Sequence, residues 1–309
     1  MKRPVRPCIQ GLARLCLMGL LAVPLALSAQ VPAPVELLPP IALPEGSELR
    51  IILPRGELAL RPSTDGQLRV IGRLAPGQRL RAMARPEGPI LRVLDEDRPT
   101  PAAAELTLQV PPTVRLSIDV EDASLDLVGV GGDRLRIQGG AQALRVQSSA
   151  ARVRASSLAG GMDLQLEGGD LEVDSLSGAV QLAAAGPGVD LRVQSLSGNI
   201  ALTAPQPGRV RVASISGAIE VTLGQGEQPA LLDTVGGDIA LRLAEGVAGR
   251  LSFAPGRQPL ALRGGRSTAA DGSVALGEGD WAIRLATVSG RLVVRQGAGI
   301  VAEPPPEEN

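Results

Sequence analysis

One short phrase recurs along this chain, and its recurrence is the tightest constraint on what the chain can fold into. Ser157-Leu158-Ala159-Gly160 is followed by Ser175-Leu176-Ser177-Gly178, Ser195-Leu196-Ser197-Gly198, Ser214-Ile215-Ser216-Gly217, Thr234-Val235-Gly236-Gly237 and Thr287-Val288-Ser289-Gly290. The first five glycines are spaced 18, 20, 19 and 20 residues apart, and the sixth comes 53 residues later. A fixed period near twenty marks a chain made of stacked copies of one small unit. Aligned on the glycine, five apolar columns appear. They lie seven before it (Val153, Leu171, Leu191, Val210, Ala230, Ile283), five before (Ala155, Val173, Val193, Val212, Leu232, Leu285) and two before (Leu158, Leu176, Leu196, Ile215, Val235, Val288). The others lie two after (Met162, Val180, Ile200, Ile219, Ile239, Leu292) and four after (Leu164, Leu182, Leu202, Val221, Leu241, Val294). Every position is apolar in a chain that is 44% apolar overall.

Within each copy the apolar residues alternate with polar ones, the period of a half-buried strand, and no segment carries a convincing helical period. The predicted fold is all-β: a single-chain, β-helix-like β-solenoid with turns of ~20 residues. Each turn holds one strand on either side of the glycine, which serves a corner needing positive φ or close approach of another chain segment. All five columns are expected to point inward. A single turn buries too little to fold alone, so stacking and hydrogen bonds between turns must stabilise it. Weaker copies at Leu125/Leu127, Leu135/Ile137 and Leu144/Val146 place the start of the stack near residue 115.

The organisation read from the sequence has five parts. Residues 1–29 form a signal peptide and 30–46 a Pro-rich linker. Residues 47–114 form a less regular β region leading into the solenoid. Residues 115–298 hold the repeats, with an irregular insertion at about 246–280, and 299–309 form a disordered acidic, Pro-rich tail. The signal assignment rests on Lys2, Arg3, Arg6 and Arg14 followed by the apolar run Leu15–Leu27, with Ala26-Leu27-Ser28-Ala29 as a small-residue cleavage site. The residues before Cys8 and Cys16 are too large for lipidation. No later stretch reads as a transmembrane helix. Cleavage would shift the net charge from −1 to −5, which argues against nucleic acid as a partner. The product is expected to be exported, to the periplasm, the exterior or the cell surface.

Composition then removes most chemistry. There is no His and no Tyr, Lys2 is the only Lys, Trp281 and Phe253 are the only aromatics, and both cysteines lie in the signal segment. This excludes His-based general base, nucleophile and metal-ligand arrangements, and a Lys-bearing phosphate loop. Thiol chemistry goes too once the signal is removed. The hydroxyl column three before the glycine (Ser157, Ser175, Ser195, Ser214, Thr234, Thr287) has no base to activate it and reads as a ladder closing backbone hydrogen bonds at the corner. Arg152, Arg154, Asp170, Glu172, Asp190, Arg192, Arg209 and Arg211 flank inward positions, so they point out. They read as an ion-pair ladder of Arg152 with Asp170, Arg154 with Glu172 and Asp190 with Arg209; the competing reading is a uronate-binding or lyase face. The triplets Gly131-Gly132-Asp133, Gly168-Gly169-Asp170 and Gly236-Gly237-Asp238 are too widely spaced for a tandem Ca²⁺ solenoid and read as turns. Asp95-Glu96-Asp97 reads as a solvated loop, and Trp281 as a cap over the end of the stack. No catalytic residue, cofactor-binding residue, metal ligand or cofactor is assigned.

The run Leu106-Thr107-Leu108-Gln109-Val110-Pro111, then Val114-Arg115-Leu116-Ser117-Ile118, then the repeated Ser-Leu-Ser-Gly-(Asn/Ala)-Ile-x-(Leu/Val), resembles the bacterial exported "putative adhesin" family of short β-strand repeats, a domain of unknown function similar to auto-transporter adhesin head domains. The resemblance covers about residues 47–245 and 281–295. It implies an exported β-solenoid with no known catalytic residues that acts as an adhesin-like or cell-envelope binding and scaffold protein. Its partner would be an envelope protein or glycan. No membrane barrel follows the repeats, so autotransport by this chain alone is not expected. The alternatives are a self-assembling envelope protein that associates through solenoid ends, and a polysaccharide-active β-helix enzyme.

Overall fold

The computed structural model describes residues 35–95, 100–253, 261–263, 266–268 and 273–297, and every regular element among them is a β-strand. The signal segment, the acidic tail, and Glu96 and Asp97 of the acidic loop lie outside these residues. The described strands belong to one unit beginning at Pro34.

The N-terminal strands are β1 (Val35–Ala42), β2 (Glu48–Pro62), β3 (Gln67–Arg73), β4 (Gln78–Met83), β5 (Ile90–Asp95), β6 (Ala104–Val110) and β7 (Arg115–Val128). The repeats follow as pairs: β8 (Arg134–Gly139) and β9 (Leu144–Ser148), β10 (Arg152–Ser157) and β11 (Met162–Leu166), β12 (Asp170–Ser175) and β13 (Val180–Ala184), β14 (Val189–Ser195) and β15 (Ile200–Ala204), β16 (Pro207–Ser214) and β17 (Ile219–Leu223), β18 (Ala230–Thr234) and β19 (Ile239–Leu243). The last strands are β20 (Gly249–Phe253), β21 (Ala261–Arg263), β22 (Arg266–Thr268), β23 (Ser273–Leu276), β24 (Trp281–Thr287) and β25 (Leu292–Gln296).

Even-numbered repeat strands pair in parallel to make a first sheet, and odd-numbered ones make a second. The register matches the glycine alignment: Val153 lies opposite Leu171, Val173 opposite Val193, Met162 opposite Val180 and Leu202 opposite Val221. The 53-residue step keeps it too, with Leu232 opposite Leu285 and Leu241 opposite Val294. The β-solenoid is therefore the fold, and the long strands β2 and β7 run through both sheets. The first half of β7 pairs with β8 and its second half with β9, while β2 pairs with β7 along most of its length.

This register corrects the expected organisation. The stack does not begin near residue 115. β2 is the rung before β7, and β5 and β6 form a rung beyond β2, so the boundary at 114/115 crosses a continuous core. Within the supposed linker, β1 pairs antiparallel with β3; its Pro-rich sequence is extended as expected but belongs to the sheet edge, where missing N–H donors are tolerated. The supposed insertion contributes the outermost turn. β24 lies between β18 and β20, and β25 between β19 and β21, so the later turn is slotted inside the earlier one. The first sheet finishes in antiparallel strands, β4 at one end and β23 with β22 at the other.

Four of the five expected inward columns are buried throughout. The column two before the glycine is not. Leu158 is 62% exposed, Leu196 43% and Val288 64%, and Leu176, Ile215 and Val235 are exposed with them. Alternation explains the difference. Residues seven, five and three before the glycine point in, so the hydroxyl column is buried and the next residue must point out. The missing fifth aliphatic column lies six after the glycine: Leu166, Ala184, Ala204, Leu223 and Leu243 are buried. Leu176→Ser and Leu196→Ser are accordingly expected to change the melting temperature by no more than ordinary surface substitutions, about 0.5 kcal/mol each. A loss of several degrees from either in a thermal melt would contradict this orientation.

Candidate functional site

The corners are the most regular local structure, and they are structural. Gly178 and its equivalents have no positive φ; they are glycine because a Cβ on Gly178 would sit 2.0 Å from the Gly160 carbonyl oxygen, and one on Gly198 2.0 Å from that of Gly178. The close approach lets each corner hydrogen-bond to the preceding one, as in Ser177 N–H to the Leu158 carbonyl at 3.0 Å and Ser197 N–H to the Leu176 carbonyl at 3.0 Å. The hydroxyl column completes these corners. Ser157 Oγ donates to the Gly160 carbonyl at 2.8 Å and Ser175 Oγ to the Gly178 carbonyl at 2.7 Å. In later turns the direction reverses, with Gly217 N–H donating to Ser214 Oγ at 2.9 Å and Gly290 N–H to Thr287 Oγ1 at 2.9 Å. The column is buried and, apart from Ser195, whose Oγ has no hydrogen-bond partner among the described residues, its hydroxyls bond to backbone, which is the ladder expected from the sequence with one rung open.

The remaining polar features resolve similarly. Asp133 faces Arg115 at 3.7 Å, and Asp238 holds the Arg291 guanidinium at 3.3 Å while accepting the Arg291 N–H at 2.7 Å. Asp95 accepts the Ala102 N–H at 3.0 Å. No group of three acidic, Cys or His side chains close enough to share a metal ion occurs among the described residues. Trp281 does not cap the stack. It is buried on β24, inside the terminal turn, with its indole against Gly226 and its Nε1–H donating to the Gln228 carbonyl at 2.6 Å. The slotted order of the turns, invisible in sequence, moves it from the end to the interior.

The charged columns are where a surface with functional character forms. Outward alternation on β8, β10, β12, β14 and β16 exposes Arg134, Arg136, Arg152, Arg154, Asp170, Asp190, Arg192, Arg209 and Arg211, with Glu172 half-buried. They line a shallow concavity of about 530 Å³ on the first sheet. The expected ladder closes only in part. Arg154 reaches Glu172 at 3.4 Å. Arg152 and Asp170 are opposite in register but do not come within bridging distance. A register shift between Val189 and Leu191 takes Asp190 to the backbone N–H of Arg209, at 2.7 Å, instead of its guanidinium. Cations instead lie beside cations: Arg134 opposite Arg152, Arg136 opposite Arg154, and Arg192 opposite Arg211. The second sheet differs. There Arg145 faces Asp163 and Arg242 bridges Glu220 at 2.7 Å, and much of the remaining outer face is Gln, Ala and Thr.

No family model and no curated protein matches the chain, so the resemblance drawn from the repeat phrase has no support from that side. Among solved structures, the chain is similar to a "putative cell adhesion protein" from Clostridium sporogenes, at 10% identity over 82% of this chain and 93% of that one, with a TM-score of 0.22. It is also similar to a "putative adhesin" from Bacteroides fragilis, at 12% identity over 84% of this chain and 95% of that one, with a TM-score of 0.33. Likeness at this level defines neither site nor activity, and the β-solenoid assignment rests on the strand register.

Proposed function

We propose that this chain is an exported, non-enzymatic β-solenoid that acts as an adhesin-like or scaffold protein of the cell envelope, using the outer face of its first sheet to hold a partner. The observation that carries this reading is the segregation of charge. The two sheets share one repeat and one aliphatic core, yet six of the seven arginines lining the concavity of the first sheet have no carboxylate within bridging distance among the described residues, whereas Arg145 and Arg242 on the second sheet do. In-register like charges on neighbouring strands oppose folding modestly, so the core does not require them. The face holds guanidinium and carboxylate groups with no His or Lys beside them, and the hydroxyl column is buried behind it, an arrangement suited to binding without bond breaking.

The test is fractionation of the producing cell combined with crosslinked pull-down of the mature chain. The reading expects the chain outside the cytoplasm, with a partner crosslinked through the first sheet. A chain retained in the cytoplasm, or one that releases cleavage products from glycans and loses that activity on Asp190→Ala or Arg192→Ala, would overturn it.

A further inference from the structure

We infer that the concave face formed by β8, β10, β12, β14 and β16 binds a linear acidic polysaccharide, a chain carrying carboxylate or sulfate groups among free hydroxyls. The inference rests on the binding-surface reading above and names its ligand class.

Elsewhere on the unit the arginines are mixed: Arg50 meets Asp119 at 2.6 Å, Arg55 meets Asp122 at 3.2 Å, Arg73 meets Glu105 at 2.8 Å and Arg61 pairs with Asp126, whereas Arg81 and Arg92 lie opposite each other on β4 and β5 with no carboxylate of the described residues within bridging distance. On the concave face, among the described residues, only Arg154 has a carboxylate within bridging distance; Arg134, Arg136, Arg152, Arg192, Arg209 and Arg211 have none. Folding does not call for this excess. At the equivalent place on β18 the chain uses Leu231 opposite Arg211, and the core beneath is unchanged. The guanidinium forks are thus free to bind anions, and their planar donors suit carboxylate and sulfate oxygens.

Shape selects the ligand next. The side chains repeat at the spacing of adjacent parallel strands, ~4.8 Å, so five strands present a track of roughly 20 Å. A trough with that repeat fits an extended polymer better than a flat bilayer. The three acids decide the chemistry. Asp170, Glu172 and Asp190 lie in the middle of the track between the two Arg clusters. Against a phosphate polymer or anionic lipid surface they would be buried facing like charge. Against an acidic sugar chain they accept hydrogen bonds from hydroxyls while the arginines take the anionic groups. The absence of aromatic residues on the face removes the stacking platform that single-stranded nucleic acid uses.

The experiment is calorimetric titration of the mature chain, in chelator, with polygalacturonate and dextran sulfate as acidic probes, and with neutral dextran, inorganic polyphosphate and phosphatidylglycerol vesicles. At about 50 mM salt at least one acidic glycan should bind, dextran should not, and binding should fall by about tenfold or more at about 500 mM salt. Arg134→Gln with Arg152→Gln, and separately Arg192→Gln with Arg211→Gln, should each weaken binding about tenfold with an unchanged melting temperature. Arg242→Gln on the second sheet should leave it intact. Equal binding of dextran, tighter binding of polyphosphate or vesicles, equal loss in Arg242→Gln, or no binding of either acidic glycan would overturn the inference. If the acidic glycans fail while the pull-down captures a partner crosslinked through the first sheet, only the ligand class falls; if nothing is captured there either, the binding-surface reading falls with it.

Discussion

Val193→Asp is expected to be among the most damaging single substitutions in the repeat region, lowering stability by about 4 kcal/mol or more. Val193 is fully buried on β14, between Val173 on β12 and Val212 on β16. A carboxylate there would meet aliphatic side chains of its own turn and both neighbours, with no cation in reach. Because each turn of a solenoid is stabilised through its neighbours, the damage should spread to β12 and β16 before the ends are affected. Urea unfolding followed by far-UV circular dichroism reads the stability loss, and amide exchange locates it. Arg192→Gln, one residue earlier on the same strand but pointing out with no carboxylate of the described residues in bridging distance, should stay within about 0.5 kcal/mol. Comparable losses from the two would show the alternation assigned to β14 to be wrong.

The adjacent glycines Gly160 and Gly161 should behave oppositely. A Cβ on Gly160 would stand 1.8 Å from the Gln142 carbonyl oxygen, and the collision is with backbone that is itself held in the corner ladder. Neither side can move without opening inter-turn hydrogen bonds, so Gly160→Ala should cost about 2–4 kcal/mol. A Cβ on Gly161 meets nothing nearer than the Ala179 carbonyl oxygen at 3.7 Å, and other turns carry Ala179, Asn199 and Arg291 at this place. Gly161→Ala should therefore be neutral or slightly stabilising, since it removes freedom from the unfolded chain. Equal melting temperatures for the two variants would remove close approach as the reason for the repeat glycine.

Much of this architecture is legible without coordinates because a solenoid repeats its environment. Each inward site of one turn sits on the same site of the next, so one physical demand is written into the sequence many times, and aligning the glycines reproduces the strand register. What misled was letting apolarity outrank phase. Leu158, Leu176 and Leu196 are as apolar as core residues, but they follow a buried hydroxyl in an alternating strand and must face water. Ser175 is accepted inside because its Oγ bonds to the Gly178 carbonyl. The candidate surface was legible as a list of charges but not as a concavity, because which guanidinium meets which carboxylate depends on the register shift at Val189 and Leu191.

The order of the turns shows where sequence stops. Periodicity determined that the chain stacks, which residues share a column and which side of each strand meets solvent, since these follow from alternation and the covalent spacing of the copies. It could not determine that β24 enters between β18 and β20, or that β2 lies between β7 and the rung of β5 and β6. Those placements are contacts between segments far apart in the chain, decided by which edges are left open when the other turns have paired. The same is true of the Arg face: its residues were visible in sequence, but only the stacking of five strands gathers them on one side, cation beside cation.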